Sequence, residues 1–210
     1  MDLNKQFDRM AKDERAVSLA SDALSHFDDD FPKSLKKAIA CRPEQRRFFD
    51  VMVSAFAQWH FGHTNAPLGI VVDGATGQGK SCMAAMLARF AALKGRRPGY
   101  LSTAVMELEM TGQFEDPNRR TGVDYLAKSR DTEIFVIDDF AGERLKHVQH
   151  TLVGLIDDRV NREVFTVMTT NLEKPAVLAH IGEREESRLK RFVWVHIPPD
   201  AIQDLRESKR

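Results

Sequence analysis

Cysteine is scarce in this 210-residue sequence, which contains only Cys41 and Cys82. The two residues are far apart and outside any CxxC pattern, so the chain has neither a disulfide framework nor the cysteine spacing of a zinc site. Long apolar runs are also missing, because none approaches the roughly 20 residues that a membrane-spanning helix requires. The first residues, Met1–Gln6, are too polar for a signal peptide. We therefore expect a soluble protein of the reducing cytoplasm that makes no membrane contact.

An excess of charge of either sign is absent as well. Lysine plus arginine and aspartate plus glutamate number 31 each, which gives a formal net charge of zero. A neutral chain does not coat nucleic acid by bulk electrostatics alone, although a DNA groove could still form when subunits assemble. Hydrophobic residues make up 42% of the sequence, which is enough for the core of one α/β domain.

Two parts of the chain differ in pattern. Residues 1–40 are highly charged and are interpreted as a short helical N-terminal extension, and residues 41–210 as one domain. Within the domain, short continuous apolar runs such as Leu68–Val72 and Ile134–Ile137 alternate with helical patterns. This alternation predicts an α/β fold in which a parallel sheet of five strands is sandwiched by helices. No helix is predicted between the one around Val105–Met110 and the strand that follows it.

A glycine-rich motif follows the first predicted strand. Gly74–Ser81 matches G-x-x-x-x-G-K-[ST] and precedes a predicted helix, which is the context of a phosphate-binding loop. The glycines let successive N–H groups point at a phosphate, aided by the helix N-terminus. Lys80 is expected to reach the β- and γ-phosphates of ATP, and Ser81 to bind Mg²⁺. A chance glycine-rich turn is the alternative, and the flanking strand and helix argue against it. The predicted nucleotide contacts are Gly74, Thr76, Gly77, Gln78, Gly79, Lys80, Ser81 and Cys82.

Two aspartates end the strand Ile134–Ile137. Asp138 is expected to bind Mg²⁺, directly or through water, and Asp139 to orient or deprotonate the attacking water. In open α/β sheets, ligands bind at the carboxyl ends of the strands, where a phosphate loop would also lie. An aspartate pair at a strand end is otherwise an ordinary turn or cap, and the upstream loop favours the catalytic interpretation.

Polar residues near the end of the chain are less specific by themselves. Asn171 follows a predicted strand, where its amide could contact a γ-phosphate or simply form a turn. Arg184 and Arg188 are four residues apart and share one helix face, which is also the pattern of a solvated basic face.

The order of these motifs carries a family resemblance. Phosphate loop, Ile-Asp-Asp, Thr-Thr-Asn-Leu, Gly-Glu-Arg and Ser-Arg-Leu together resemble the DnaC/IstB branch of the AAA+ ATPases, close to the DnaA initiators, over about Pro43 to Ile197. The resemblance implies that Asn171 senses the γ-phosphate. It also implies that Arg188 is an arginine finger acting in trans, so that ATP binding drives homo-oligomer assembly, with Arg184 in a supporting role.

The sequence departs from the general AAA+ pattern in three respects. The acid that is commonly glutamate is Asp139, one methylene shorter, so we expect slow, oligomer-dependent ATP hydrolysis. The chain ends soon after Pro198 and Pro199, so we expect no C-terminal helical lid, as the resemblance to the DnaC/IstB branch also implies. The N-terminal extension is short and has no cysteine cluster, which leaves open how a helicase would be bound.

Several functions fit the motifs. The resemblance favours a loader that places a replicative helicase on DNA, with single-stranded DNA preferred. The alternative within the family is an IstB-like helper that binds duplex DNA and stimulates a transposase. A small-molecule kinase would need an arginine-rich acceptor lid, for which Asn118–Thr121 is a weak candidate. A nucleotide-dependent adaptor that never hydrolyses ATP is a further alternative.

DNA contact has the weakest support in the sequence. Basic residues occur at Lys94–Arg97, Arg119–Arg120 and Lys190–Arg191, and each group is more simply explained as a solvated helix end or loop. No aromatic stacking platform is evident near them. His60 and His63 lack an acidic or cysteine partner, so no metal other than Mg²⁺ is predicted.

Overall fold

Five parallel strands form a single sheet in the order β2-β3-β4-β1-β5. The computed structural model describes residues 5–6, 42–112, 120–140, 148–181 and 183–202, and for 183–185 the backbone alone. The strands are β1 Gly69–Gly74, β2 Pro98–Ser102, β3 Ile134–Asp138, β4 Phe165–Thr170 and β5 Phe192–Ile197. In register, Ile70 of β1 pairs with Val167 of β4 and with Val193 of β5. The predicted five-stranded parallel sheet is therefore confirmed.

Helices cover both faces of the sheet, because each parallel strand needs a crossover to the next. They are α1 Pro43–His60, α2 Lys80–Leu93, α3 Thr103–Met110, α4 Gly122–Arg130, α5 Gln149–Asn161, α6 Lys174–Ile181 and α7 Glu183–Leu189. None in the described part of the chain is long and apolar enough to cross a membrane. Most of the predicted extension over residues 1–40 lies outside the described residues.

The core consists of two apolar layers divided by the sheet. Ile70 and Val72 of β1 pack with α1 and α2 on one face. Val71, between them, packs with α5 and α6 on the other. Successive strand residues point to opposite faces, so a strand buried on both sides is apolar throughout. This arrangement explains the continuous apolar runs in the sequence.

Helix α4 lies where the sequence pattern predicts no element. Thr121 and Asp124 form a capping box, in which the Thr121 N–H donates to Asp124 Oδ2 at 2.7 Å and the Asp124 N–H donates to Thr121 Oγ1 at 3.4 Å. Only Tyr125 and Ser129 of the helix are buried. A nine-residue helix with so few buried positions leaves little apolar periodicity, which is why the pattern misses it.

A fully buried arginine joins α5 to the sheet. The Arg159 guanidinium donates to the carbonyl oxygens of Ser129 and Phe165, both at 2.7 Å, and to Thr166 Oγ1 at 2.9 Å. Further bonds reach Thr132 and Glu133. Burial, with a smaller contribution from the neighbouring Arg162, lowers the pKa of Arg159 to about 9. The guanidinium thus holds the end of α4 against the starts of β3 and β4.

Candidate nucleotide site

The phosphate-loop motif forms the turn from β1 into α2. Gly74, Gly77 and Gly79 have φ angles of 152°, 86° and 80°, which favour glycine because other residues rarely adopt them. A Cβ on Gly74 would lie 2.4 Å from Gln78 Oε1, so the loop is also too tight for a side chain there. Gly79 is the N-cap of α2 and provides no side-chain cap. The first N–H groups of this helix can therefore serve an anion.

Lys80, the motif lysine, is buried within the site at 8% exposure. Its Nζ donates to the carbonyl oxygens of Gly74 and Ala75, both at 2.8 Å. It also donates to Asn171 Oδ1 at 2.7 Å. The structure therefore brings together the motif lysine and the residue predicted to sense a γ-phosphate, which are 91 positions apart in the sequence.

Gln78 fixes the phosphate loop through hydrogen bonds in the protein interior. Its side chain is 1% exposed, and its Nε2 donates to the Pro198 carbonyl at 2.8 Å. Gln45 of α1 in turn donates to the Gln78 carbonyl at 3.1 Å. Because the Gln78 side chain is buried, a contact of this residue with a phosphate would be made by its backbone N–H.

The remaining predicted loop contacts lie around the same turn. Thr76 is exposed, whereas Ser81 and Cys82 are half-buried in the first turn of α2. The Cys82 side chain packs against the apolar layer of α1 and α2, so a contact of Cys82 with a phosphate would be made by its backbone N–H.

Asp138 ends β3 with its carboxylate buried and hydrogen-bonded. The hydroxyl of Tyr100 donates to Asp138 Oδ2 at 2.6 Å, and Thr169 Oγ1 donates to Asp138 Oδ1 at 2.5 Å. Both donors lie on neighbouring strands, so the parallel register itself sets the carboxylate's position. A carboxylate has about four lone-pair positions, so these two bonds leave oxygen positions for a cation.

Asp139 adopts a left-handed backbone conformation with φ 57°. This conformation is uncommon for a residue other than glycine but is tolerated by aspartate. Two bonds support it: the Asp139 N–H donates to Thr169 Oγ1 at 3.0 Å, and Thr103 Oγ1 donates to the Asp139 carbonyl at 2.5 Å. Asn171 Nδ2 lies 3.4 Å from Asp139 Oδ1. The predicted catalytic acid therefore lies next to the lysine–asparagine pair.

The residues expected to hold Mg²⁺ have suitable chemistry. Asp138 offers a carboxylate fixed by two hydrogen bonds, and Ser81 offers a hydroxyl in the first turn of α2. Mg²⁺ prefers hard oxygen ligands and is commonly held by one or two protein groups together with water and substrate phosphates. The donor set therefore fits a magnesium–nucleotide complex.

We call Lys80, Asn171 and Asp139 the Lys80 cluster, and Arg188 lies apart from it. Its Nε forms a 2.8 Å ion pair with Asp157 Oδ1, and its Nη1 donates to Asn161 Oδ1 at 3.2 Å, both on α5. The side chain is 31% exposed. Among the described residues it contacts no member of the Lys80 cluster, and its role in trans stays a prediction. The side chain of Arg184 is not among those described.

Three residues that order the site are missing from the sequence prediction: Tyr100, Thr103 and Thr169. Thr169 is the most informative, because its hydroxyl donates to Asp138 and accepts from the Asp139 N–H. The Thr-Thr-Asn-Leu motif contains it, but only strand pairing shows that it faces both acids. Tyr100 and Thr103 carry no motif signal.

No family model and no curated protein matches this sequence. The DnaC helicase loader structure aligns with 79% of this chain and 99% of its own, at 21% identity and a TM-score of 0.56. AMPPCP-bound DnaA from Aquifex aeolicus aligns with 80% of this chain at 16% identity and a TM-score of 0.57. A DnaA initiator bound to AMPPCP and single-stranded DNA aligns with 82% of this chain at 16% identity and a TM-score of 0.53.

At these sequence identities, the comparisons show that the fold is shared. The chain spans 50% and 52% of the two DnaA chains, whereas it spans nearly all of the DnaC structure. The chain therefore has the AAA+ P-loop fold of DnaC and DnaA, which confirms the fold that the order of motifs predicted.

Proposed function

We propose that this protein binds and slowly hydrolyses ATP with Mg²⁺ at the Lys80 cluster. The observation that carries the proposal is the meeting of Lys80, Asn171 and Asp139 at the carboxyl edge of the sheet, with 2.7 Å and 3.4 Å between their polar atoms. Open α/β sheets bind ligands at this edge. The fold shared with AMPPCP-bound DnaA supports the same choice.

Each residue of the cluster has a distinct role in this proposal. Lys80 exchanges its bond to Asn171 for the β- and γ-phosphates, and the N–H groups of the loop hold the β-phosphate. Asn171, released from Lys80, contacts the γ-phosphate or the attacking water. Asp139 orients that water and accepts its proton. Mg²⁺, held through Asp138 and Ser81, would neutralise charge on the phosphates.

We propose that a second copy completes the site, with Arg188 as the arginine finger that the family resemblance implies. The partners of Arg188 lie on α5, outside the Lys80 cluster, and this position supports a role at another subunit's nucleotide. An arginine finger stabilises transition-state charge and accelerates related nucleotide hydrolysis by about 10³–10⁵. ATP binding and homo-oligomer assembly are then coupled.

The partner that we propose is a replicative helicase, which the assembled protein places on single-stranded DNA. Support comes from the fold shared with the DnaC helicase loader over nearly the whole of that structure. The DnaA structure that holds single-stranded DNA supports the preferred DNA form. A transposition helper with the same ATPase core is the alternative outcome.

Nucleotide binding is tested by fluorescence anisotropy of a labelled ATP analogue with Mg²⁺. Lys80→Ala is expected to weaken binding at least tenfold, because the positive charge on the phosphates is lost. Lys174→Ala is a matched control, since Lys174 lies on the ring of Trp194 outside the cluster. Equal affinity of Lys80→Ala and wild type would overturn the proposed site. Transfer of phosphate to a small acceptor, in place of phosphate release, would identify a kinase.

Loading is tested by helicase unwinding of a strand annealed to a protein-coated single-stranded circle. ATP-dependent stimulation by this protein supports a loader. No stimulation, together with ATP-dependent binding to duplex DNA and stimulation of a transposase, would identify the helper and leave the ATPase proposal intact.

A further inference from the structure

An aromatic and cationic patch lies at the amino end of the sheet, away from the nucleotide site. We call it the Phe61 patch, and its members are Trp59, His60, Phe61, His63, Arg96 and Arg97. Arg97 directly precedes β2, and Phe61 is the C-cap of α1. The fold brings the aromatic end of α1 against Lys94–Arg97, where the sequence alone shows no stacking platform.

Phe61 and His63 are the exposed rings of the patch, whereas Trp59 and His60 are half-buried. Phe61 is 49% exposed. Its ring lies 6.5 Å from that of His63, with 29° between the planes, and 5.1 Å from that of His60. An exposed phenylalanine stacked on an exposed histidine offers flat surfaces without burying either ring in the core.

Arginines border these rings. The Arg96 guanidinium lies 5.1 Å from the ring of Trp59, and its Nε donates to His60 Nδ1 at 3.1 Å. That bond requires an unprotonated Nδ1, consistent with burial and the charges of Arg96 and Lys94 lowering the pKa of His60. Arg97 is 59% exposed, and its Nε is 4.0 Å from Glu133. Arg97 therefore keeps most of its charge available to a partner.

A third arginine, outside the patch as defined, lies at the same end of the sheet. Arg191 precedes β5, is 44% exposed and pairs with Glu163, whose carbonyl accepts the indole N–H of Trp59. Helix C-termini favour basic residues, which accounts for His60 and Lys94. It does not account for an exposed phenylalanine at the end of the sheet that also carries the exposed arginines Arg97 and Arg191. Lys94 also contacts Gln6, so it is not counted as an open cation.

We propose that the Phe61 patch, together with Arg191, binds single-stranded nucleic acid, with bases on Phe61 and His63 and phosphates on Arg97 and Arg191. Aromatic rings bordered by cations suit a single strand, because unpaired bases stack on rings while the backbone follows the charges. A duplex keeps its bases stacked inside and would leave Phe61 unused. The proposal adds a surface to the proposed function but does not depend on the nucleotide site.

The test is fluorescence anisotropy of a labelled 20-nucleotide oligo(dT), measured without ATP and in a Lys80→Ala background. Because this measurement does not use the nucleotide site, its result does not depend on whether the ATPase proposal is correct. Phe61→Leu is expected to weaken binding about tenfold, whereas Phe61→Trp keeps it, since stacking needs a ring. Val123→Ala, at an exposed apolar residue of α4, is the control and leaves binding unchanged.

Salt dependence provides a second measurement. If Arg97 and Arg191 each contact one phosphate, a plot of the logarithm of the association constant against the logarithm of the salt concentration should have a slope of about −1.4. Arg97→Ala should halve this slope. No oligo(dT) binding by the parent, or equal binding by Phe61→Leu, would overturn the proposal. If Phe61→Leu weakened a helicase complex and left oligo(dT) binding unchanged, the patch would be a protein-docking surface and the proposal would be wrong.

Discussion

Lys80 Nζ donates to Asn171 Oδ1 at 2.7 Å, so the motif lysine is held by the residue proposed to sense the γ-phosphate. The same asparagine lies 3.4 Å from Asp139. This contact links the end of β4 to the start of α2. A bound γ-phosphate would have to replace Asn171 as a partner of Lys80.

Asn171→Ala should separate binding from hydrolysis. Removing the amide frees Lys80 from a competing acceptor, so ATP affinity should be unchanged or slightly tighter. Hydrolysis should fall about 10²-fold, the order expected when a group that stabilises the transition state is lost. Binding is measured with a labelled nucleotide, and kcat by phosphate release. A parallel loss of both would show that Asn171 acts in ground-state binding.

Thr169→Val tests the support of the two acids. Valine keeps the shape but removes the hydroxyl that donates to Asp138 and accepts from the Asp139 N–H. Leaving these buried partners unmatched should cost about 1–3 kcal/mol in the free energy of unfolding and lower kcat. Thr169→Ser keeps the hydroxyl and should retain most of both. Denaturant unfolding provides the measurement, and full stability and activity of the valine variant would contradict the assigned role.

Arg159→Met tests the buried guanidinium of α5. The substitution removes the guanidinium bonds to the carbonyls of Ser129 and Phe165 and to Thr166 Oγ1. Ser129 keeps the Thr132 hydroxyl as a donor at 2.9 Å, so we expect a loss of about 1–3 kcal/mol in the free energy of unfolding from the acceptors left unpaired. Arg162→Ala is the matched control, because that side chain is 39% exposed and should cost less than about 1 kcal/mol. Chemical denaturation measures both variants. Similar midpoints would show that the carbonyls find other partners.

Mixing two inactive variants tests whether Arg188 acts in trans. Lys80→Ala lacks the nucleotide site and Arg188→Ala lacks the finger, so each should hydrolyse ATP at least 10²-fold more slowly than wild type. A mixture can pair an intact site with an intact finger and should recover a substantial part of the activity. Phosphate release at rising total protein concentration is the readout. If the mixture stays inactive while both variants still assemble, Arg188 is not a shared catalytic group.

Asp157→Asn extends the same experiment to the partner of Arg188. The ion pair is partly exposed, so its loss should change stability by less than about 1 kcal/mol. Activity at saturating protein should fall more than stability does, because the guanidinium loses the carboxylate that orients it. A change in stability alone would make Asp157 a structural residue.

The sequence was sufficient to predict the sheet, and it singles out Lys80, Asp139 and Asn171, which the structure brings together. Continuous apolar runs located the strands, because strands buried on both faces need apolar residues at every position. The phosphate loop was readable because its tight backbone requires glycine at fixed spacing, as the φ angles of Gly77 and Gly79 illustrate.

The sequence pattern does not predict contacts between residues that are far apart in the chain. The bonds of Thr169 to Asp138 and Asp139 depend on strand register, and the Thr-Thr-Asn-Leu motif alone does not show which threonine faces the two acids. The Phe61 patch likewise forms from segments 35 residues apart in the chain, Phe61 and Arg96. Helix α4 was missed because capping by Thr121 and Asp124, not apolar periodicity, defines it.

The most direct test of the central proposal is the solution mass of this protein mixed with a hexameric replicative helicase, with and without ATP and Mg²⁺. We predict a discrete complex that requires ATP, is lost in Lys80→Ala and is kept in Lys174→Ala. A mass that does not change with ATP, or a complex that Lys80→Ala forms equally well, would contradict an ATP-switched loader.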